Sequence, residues 1–166
     1  ETLRFAVRTS DDELPNFEVP LYHPETGAAM TGYVSSYVAL NNEAVIIDDV
    51  YSETRFDLSG TIKFSEASGL RTVSMLTVPL APRDGKVIGV LQFLNAMDPE
   101  TGAVTTFKPD VVNFVQGLAT QAAVTLDNFQ LVEAQRELMD ALIKLIAGAI
   151  DAKSPYTGGH CERVPE

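Results

Sequence analysis

Residues Ser74–Asn95 read SMLTVPLAPRDGKVIGVLQFLN. Two β-rich runs flank an Asp-Gly step whose residues both tolerate positive φ, and this predicts a β-hairpin around Asp84-Gly85. A different pattern follows from Pro109. Pro109 pre-sets φ for a first helical turn and Asp110 answers the helix dipole. Apolar residues then recur by threes and fours at Val111, Val115, Leu118, Ala122, Leu126, Phe129 and Val132. After a polar interval at Gln135, Arg136 and Glu137 the pattern resumes at Met139, Leu142, Ile146 and Ala149, and nothing breaks it before Ser154-Pro155. Such a helix is about 65 Å long, more than a small domain needs to cover its own core. Its C-terminal half needs apolar partners elsewhere, most simply the same helix of a second chain.

The remaining segments are shorter. TLRFAVR alternates and predicts a strand, NFEVPLYHPETG a loop. AAMTGYVSSYVALNN spaces Met30, Tyr33, Val34, Tyr37 and Val38 as a helix does and ends on an asparagine pair suited to a cap. EAVIIDDVY predicts a short buried strand before an acidic turn, and Ser52–Arg71 an irregular stretch of short helices and loop. The pentapeptide PETGA occurs twice, from Pro24 and from Pro99, and predicts two similar turns, not a repeat.

Composition narrows the function classes. With 45% hydrophobic and 21% charged residues the chain is globular in type, and no apolar run approaches the ~20 residues of a membrane span. A net charge of −11 argues against nucleic acid or an anionic membrane as partner. The single cysteine, Cys161, allows no intramolecular disulfide and suits a reducing, cytoplasmic location. The opening ETLRFAVRTS, without Met and already strand-like, reads as a piece of a longer protein.

The succession AAMTGYVSSYVALNNEAVIIDDV, SMLTVPLAPRDGKVIGVLQFLN and FKPDVVNFVQGLATQAAVTLDNFQL strongly resembles a GAF domain. The resemblance implies an α/β (α+β) fold: a central antiparallel sheet with flanking helices, extended here by a long C-terminal signalling helix. It places the GAF domain at 1–131, with its opening helix and first strand missing, and a signalling helix at 132–150. The tail LIKLIAGAIDAKSPYTGGHCERV resembles the start of an HD-GYP domain, a metal-dependent phosphohydrolase class that cleaves cyclic di-GMP. Lys153, Pro155, Tyr156, Thr157, Gly159, His160, Arg163 and Val164 match, with Ser154 in place of an acidic residue. On that resemblance 151–166 opens a catalytic domain, and His160 joins or adjoins a metal set holding Fe or Mn in the intact enzyme. The other ligands would lie beyond Glu166, so this chain alone is expected to hold no cofactor and to be inert.

The combined expectation is a sensory module controlling a cyclic di-GMP phosphodiesterase through a ligand-dependent homodimer joined by the C-terminal helix. The alternative is a ligand-free GAF domain that only dimerises, and a third reading is a haem or chromophore sensor with His23 as a conceivable haem ligand. An unidentified small molecule would sit between the sheet and the irregular segment, among Tyr51, Phe56, Ile62, Phe64, Thr72 and Ser74. Asn95, Phe107 and Asp110 echo the pattern of cyclic-nucleotide-binding GAF domains, but Ala96 stands where that pattern has lysine. The competing reading has Asn95 closing a strand end and Phe107 packing under the following helix.

Overall fold

The computed structural model describes residues 2–4, 18–82 and 85–153. Its elements run β1 (Thr2–Arg4), β2 (Glu18–Pro20), α1 (Val34–Asn41), β3 (Val45–Ile47), α2 (Ser59–Ser68), β4 (Met75–Leu80), β5 (Gly89–Leu94), β6 (Ala96–Met97), β7 (Val104–Thr105) and α3 (Pro109–Lys153). The fold is mixed α/β. Among the described residues there are three antiparallel sheets, β1-β2, β3-β4-β5 and β6-β7, with helices flanking and a long C-terminal helix. The chain divides into two compact units, Glu1–Val124 and Thr125–Glu166.

In the first unit, β4 is the central strand of β3-β4-β5, and its side chains alternate between two cores. Met75 packs with Ile47, Val45, Val34, Val38, Val50 and Leu58 on one face. Leu76, Val78 and Leu80 pack on the other against Val112, Val115, Ala119 and Ala123, which share one face of α3. Thr77 is buried on the first face and accepts a 3.3 Å hydrogen bond from Gln92 of β5.

Local chemistry sets the ends of the helices. Asn42 takes a left-handed φ of 55° and donates its N–H to Val38 at 3.0 Å, so the asparagine pair does cap α1. Met30 and Tyr33 precede that helix. The Asp57 carboxylate accepts the Ser59 N–H at the start of α2, and Gly69 ends it at φ 69°. Pro109 opens α3, with Asp110 in its first turn.

Two local expectations need correction. NFEVPLYHPETG is not all loop: Glu18–Pro20 pair with Thr2–Arg4, Leu3 opposite Val19. The hairpin is present, with Leu80 opposite Gly89, but its connection spans 81–88. The ladder ends at Leu80, whose carbonyl accepts the Ile88 N–H at 2.8 Å. Gly85 then donates to the Pro82 carbonyl at 3.0 Å with φ 78°, as the Asp-Gly step required of its glycine.

The two PETGA turns are superposable in their bonding. His23 donates to Ala28 O and accepts from Gly27 N–H; Asp98 donates to Ala103 O and accepts from Gly102 N–H. In each, the side chain before the proline accepts the glutamate N–H, at 3.3 Å for His23 Nδ1 and 3.0 Å for Asp98 Oδ1. The glycines sit at φ 67° and 69°. The Tyr22–Ala29 bridge closes one turn as the Met97–Val104 pair closes the other.

In the second unit, α3 continues and keeps apolar side chains in solvent. Exposure runs from 43% at Leu142 to 69% at Leu145, with Met139, Ile143, Ile146 and Ile150 between. No helix among the described residues is long and apolar enough to cross a membrane.

Candidate functional site

A cleft of about 430 Å³ opens beside β3, lined by Thr31, Tyr37, Glu43, Ala44, Val45, Ile46, Arg55 and Phe56. Three segments build it. In α1, burial of Val34 and Val38 turns Tyr37 toward the half-exposed flank. The α1–β3 connection carries Glu43, and Tyr37 OH donates to Glu43 Oε2 at 3.1 Å. That bond and the negative charge of Glu43 raise the Tyr37 pKa above its ordinary value, because ionising the phenol would set two anions side by side.

The third segment follows the acidic turn. Asp49 closes that turn by accepting the N–H groups of Tyr51, Ser52 and Glu53. Glu53 then folds over its successors: its carboxylate accepts the N–H groups of Thr54 (2.9 Å) and Arg55 (2.7 Å) and grips the Arg55 guanidinium through Nε and Nη2, at 2.6 Å for the shortest contact. These bonds to Arg55 hold the Glu53 pKa down at about 2. Arg55 Nη2 also donates to the Ile46 carbonyl at 3.3 Å, and the guanidinium lies 5.5 Å from the Phe56 ring centroid. Phe56 meets Tyr37 edge-on with centroids 5.3 Å apart. The walls are thus cross-braced: ring to ring, guanidinium to ring, and guanidinium to strand.

A second groove of about 310 Å³ lies between the 81–88 connection and α3, bordered by Asn42, Pro79, Gly85, Gln116 and Thr120.

The six residues expected to line a pocket are dispersed. Phe56 lines the cleft. Ile62 is half-buried and packs against the Met75 core, and Phe64 is half-buried on the same helix. Tyr51 is 47% exposed, with the Arg71 guanidinium 5.0 Å from its ring centroid. Thr72 is buried, and its N–H donates to Ser65 Oγ at 3.1 Å. Ser74 is buried and stitches strands together, its Oγ donating to Thr105 O and accepting from Ala96 N–H. Sequence reading missed Thr31, Tyr37, Glu43 and Ile46 as lining residues. For Arg55 a signal exists, the Glu53-x-Arg55 spacing beside an aromatic.

Asn95 closes β5 in a left-handed conformation, φ 58°. Both ends of its amide are engaged: Oδ1 accepts Val73 N–H at 2.7 Å and Nδ2 donates to Arg71 O at 2.8 Å. Phe107 packs under α3 with the Leu76 core. The strand-closing and packing readings of these two residues therefore hold. His23 is exposed in its turn, and His160 and Cys161 lie outside the described residues.

The GAF domain model matches residues 7–126. Among curated proteins, the chain is 28% identical over 145 residues to the dual 3′,5′-cyclic-AMP and -GMP phosphodiesterase 11A of Takifugu rubripes, covering 86% of this chain and 15% of that protein. It is 34% identical over 67 residues to the dual 3′,5′-cyclic-AMP and -GMP phosphodiesterase 11 of Drosophila melanogaster, covering 40% of this chain and 4% of that protein. The chain thus spans a small part of both relatives. Among solved structures, the GAF domain region of a Geobacter sulfurreducens PCA protein aligns over 64% of this chain and 60% of its own, at a TM-score of 0.45 and 18% identity.

These findings correct the catalytic half of the sequence reading. The relatives are named for cyclic AMP and cyclic GMP, not cyclic di-GMP, and neither is an HD-GYP phosphohydrolase. The HD-GYP resemblance rested on a short terminal motif beyond the matched residues 7–126, and 154–166 lie outside the described residues. With it fall the cyclic di-GMP substrate, the Fe- or Mn-dependent catalytic domain and control of such an enzyme. Among the described residues no group of three or more His, Cys, Asp or Glu side chains is placed to hold a metal ion.

Proposed function

Since the chain belongs to the GAF domain family, whose model matches residues 7–126, we propose that it is the sensory module of a cyclic-nucleotide phosphodiesterase. The observation that carries this reading is its similarity across 86% of its length to an enzyme named for hydrolysing cyclic AMP and cyclic GMP. A small molecule held in the first unit sets the state of the module, and α3 transmits it. Residues 1–131 form the sensor and 132–150 the transmitting segment, paired with the same segment of a second copy. The pairing is supported by the exposed apolar side chains from Met139 to Ile150, which have no core of their own to cover. The net charge of −11 disfavours nucleic acid as partner.

The test is hydrolysis of cyclic AMP and cyclic GMP by the full-length protein that carries this segment, beside the same protein with Met75→Asp. Met75 is fully buried in the first core, so the substitution disrupts the packing of the sensor. The expected result is hydrolysis whose rate changes when the sensor is broken. Absence of hydrolysis, or a rate indifferent to the substitution, overturns the proposal.

A further inference from the structure

The cleft beside β3 sets two opposite charges around one space without pairing them to each other. Glu43 bonds Tyr37 through Oε2, and its Oε1 has no partner among the described residues. Arg55 spends Nε and Nη2 on Glu53 and the Ile46 carbonyl, which leaves Nη1 with two N–H donors facing no described acceptor. Between the two charges stand the Phe56 and Tyr37 rings and the β3 side chains. The Glu53 carboxylate and the Phe56 ring hold the Arg55 guanidinium where it stands, bonded to Glu53 and not to Glu43. The space, about 430 Å³, is ample for a molecule of some ten heavy atoms.

We propose that this cleft binds a free amino acid with an apolar side chain, its carboxylate on Arg55 Nη1, its ammonium on Glu43 and its side chain against Phe56 and Ile46. The inference rests on the reading of the module as a small-molecule sensor and names the ligand class of that site. The charges select it. Arg55 is offset by Glu53, so Glu43 leaves the cleft net negative, and an anion such as a cyclic nucleotide meets repulsion that a zwitterion escapes. An amine lacking the carboxylate leaves Nη1 unsatisfied, and an acid lacking the ammonium faces Glu43 uncompensated.

Calorimetric titration of the purified chain tests this with L-leucine as probe, beside isopentylamine, 4-methylpentanoate, cyclic AMP and cyclic GMP. Leucine is expected to bind, and the amine and the acid to bind more weakly, on the order of tenfold for one lost charge-assisted bond. Glu43→Gln, an exposed substitution that leaves the core intact, is expected to weaken leucine and isopentylamine by about that factor and to spare 4-methylpentanoate. No heat with leucine overturns the inference, as does leucine binding indifferent to Glu43→Gln or cyclic nucleotide binding that leucine does not displace. A full-length protein that hydrolyses cyclic AMP under sensor control while its sensor ignores leucine would sink the ligand assignment and leave the proposed function standing.

Discussion

Asn95 shows how much one side chain can hold. Its amide mimics a strand neighbour, giving Val73 an acceptor and Arg71 a donor, while its backbone takes the αL conformation that few residues other than Gly and Asn accept easily. Asn95→Ala removes both bonds and adds backbone strain, and should lower stability by about 2–3 kcal/mol, read as a fall in the urea midpoint at constant m. Asn95→Gly loses the same bonds but keeps the conformation, so it should be milder by about 1 kcal/mol. Glu53 gives a pH signature. Its pKa falls from an ordinary 4.5 to about 2 because Arg55 binds the charged form. A depressed folded pKa means the pairing stabilises fully above about pH 4.5 and is lost as pH falls toward 2. The melting temperatures of the protein and of Glu53→Gln should therefore differ most near neutral pH, draw together below about pH 4.5, and meet only at and below about pH 2, where Glu53 is protonated in the folded state too. Sequence could suggest that Asn95 ends a strand, since Asn follows a β-rich run. It could not show the bonds to Arg71 and Val73, which depend on how a distant segment folds back.

At the scale of elements, legibility followed locality. The PETGA turns were readable because the bonds made by the residue before each proline join residues at most five apart, and the same pentapeptide therefore gives the same turn at Pro24 and Pro99. The cap at Asn42 and the start at Pro109 are local in the same sense. The strand at Glu18–Pro20 was not readable, because it exists through its pairing with Thr2–Arg4. The cleft was unreadable for the same reason: Tyr37, Glu43 and Arg55 come from a helix, a connection and a loop, and the local signals at Arg55 and Phe56 do not reveal that the first two face them. Glycine gives opposite predictions in turn and helix. Gly102 sits at φ 69° with open space where a Cβ would go, so Gly102→Ala meets only backbone strain and should cost about 1 kcal/mol. Gly148 lies inside α3, also with open space, so Gly148→Ala should strengthen the helix by about 1 kcal/mol. Urea unfolding followed by circular dichroism at 222 nm should show the two midpoints moving in opposite directions.

For the whole molecule, α3 is the element whose apolar side chains exceed the packing partners found among the described residues. Its Val112, Val115, Ala119 and Ala123 are used in the Leu76 core, yet Met139, Leu142, Ile146 and their neighbours stand exposed further along. Burying each large side chain is worth roughly 1.5–3 kcal/mol, so a second copy of the same face is the nearest remedy. Met139, Leu142, Ile146 and Ala149 follow steps of three, four and three, the seam of a two-helix coil, whereas Gln135 and Arg136 put polar groups at the junction above it. Sedimentation equilibrium should give twice the chain mass, and Leu142→Glu with Ile146→Glu should return the single-chain mass while the first unit keeps its cooperative unfolding. Were the proposed pairing parallel, so that both copies send their chain onward from the same end, helix phase would be the transmitted quantity. One residue inserted after Glu137 turns everything downstream by about 100°, whereas seven return it close to the original face. In the full-length protein, one inserted residue should abolish or invert the response of hydrolysis to the sensor's ligand, and seven should largely preserve it. Equal responses at both insertion lengths would show that α3 tethers the sensor without transmitting its state.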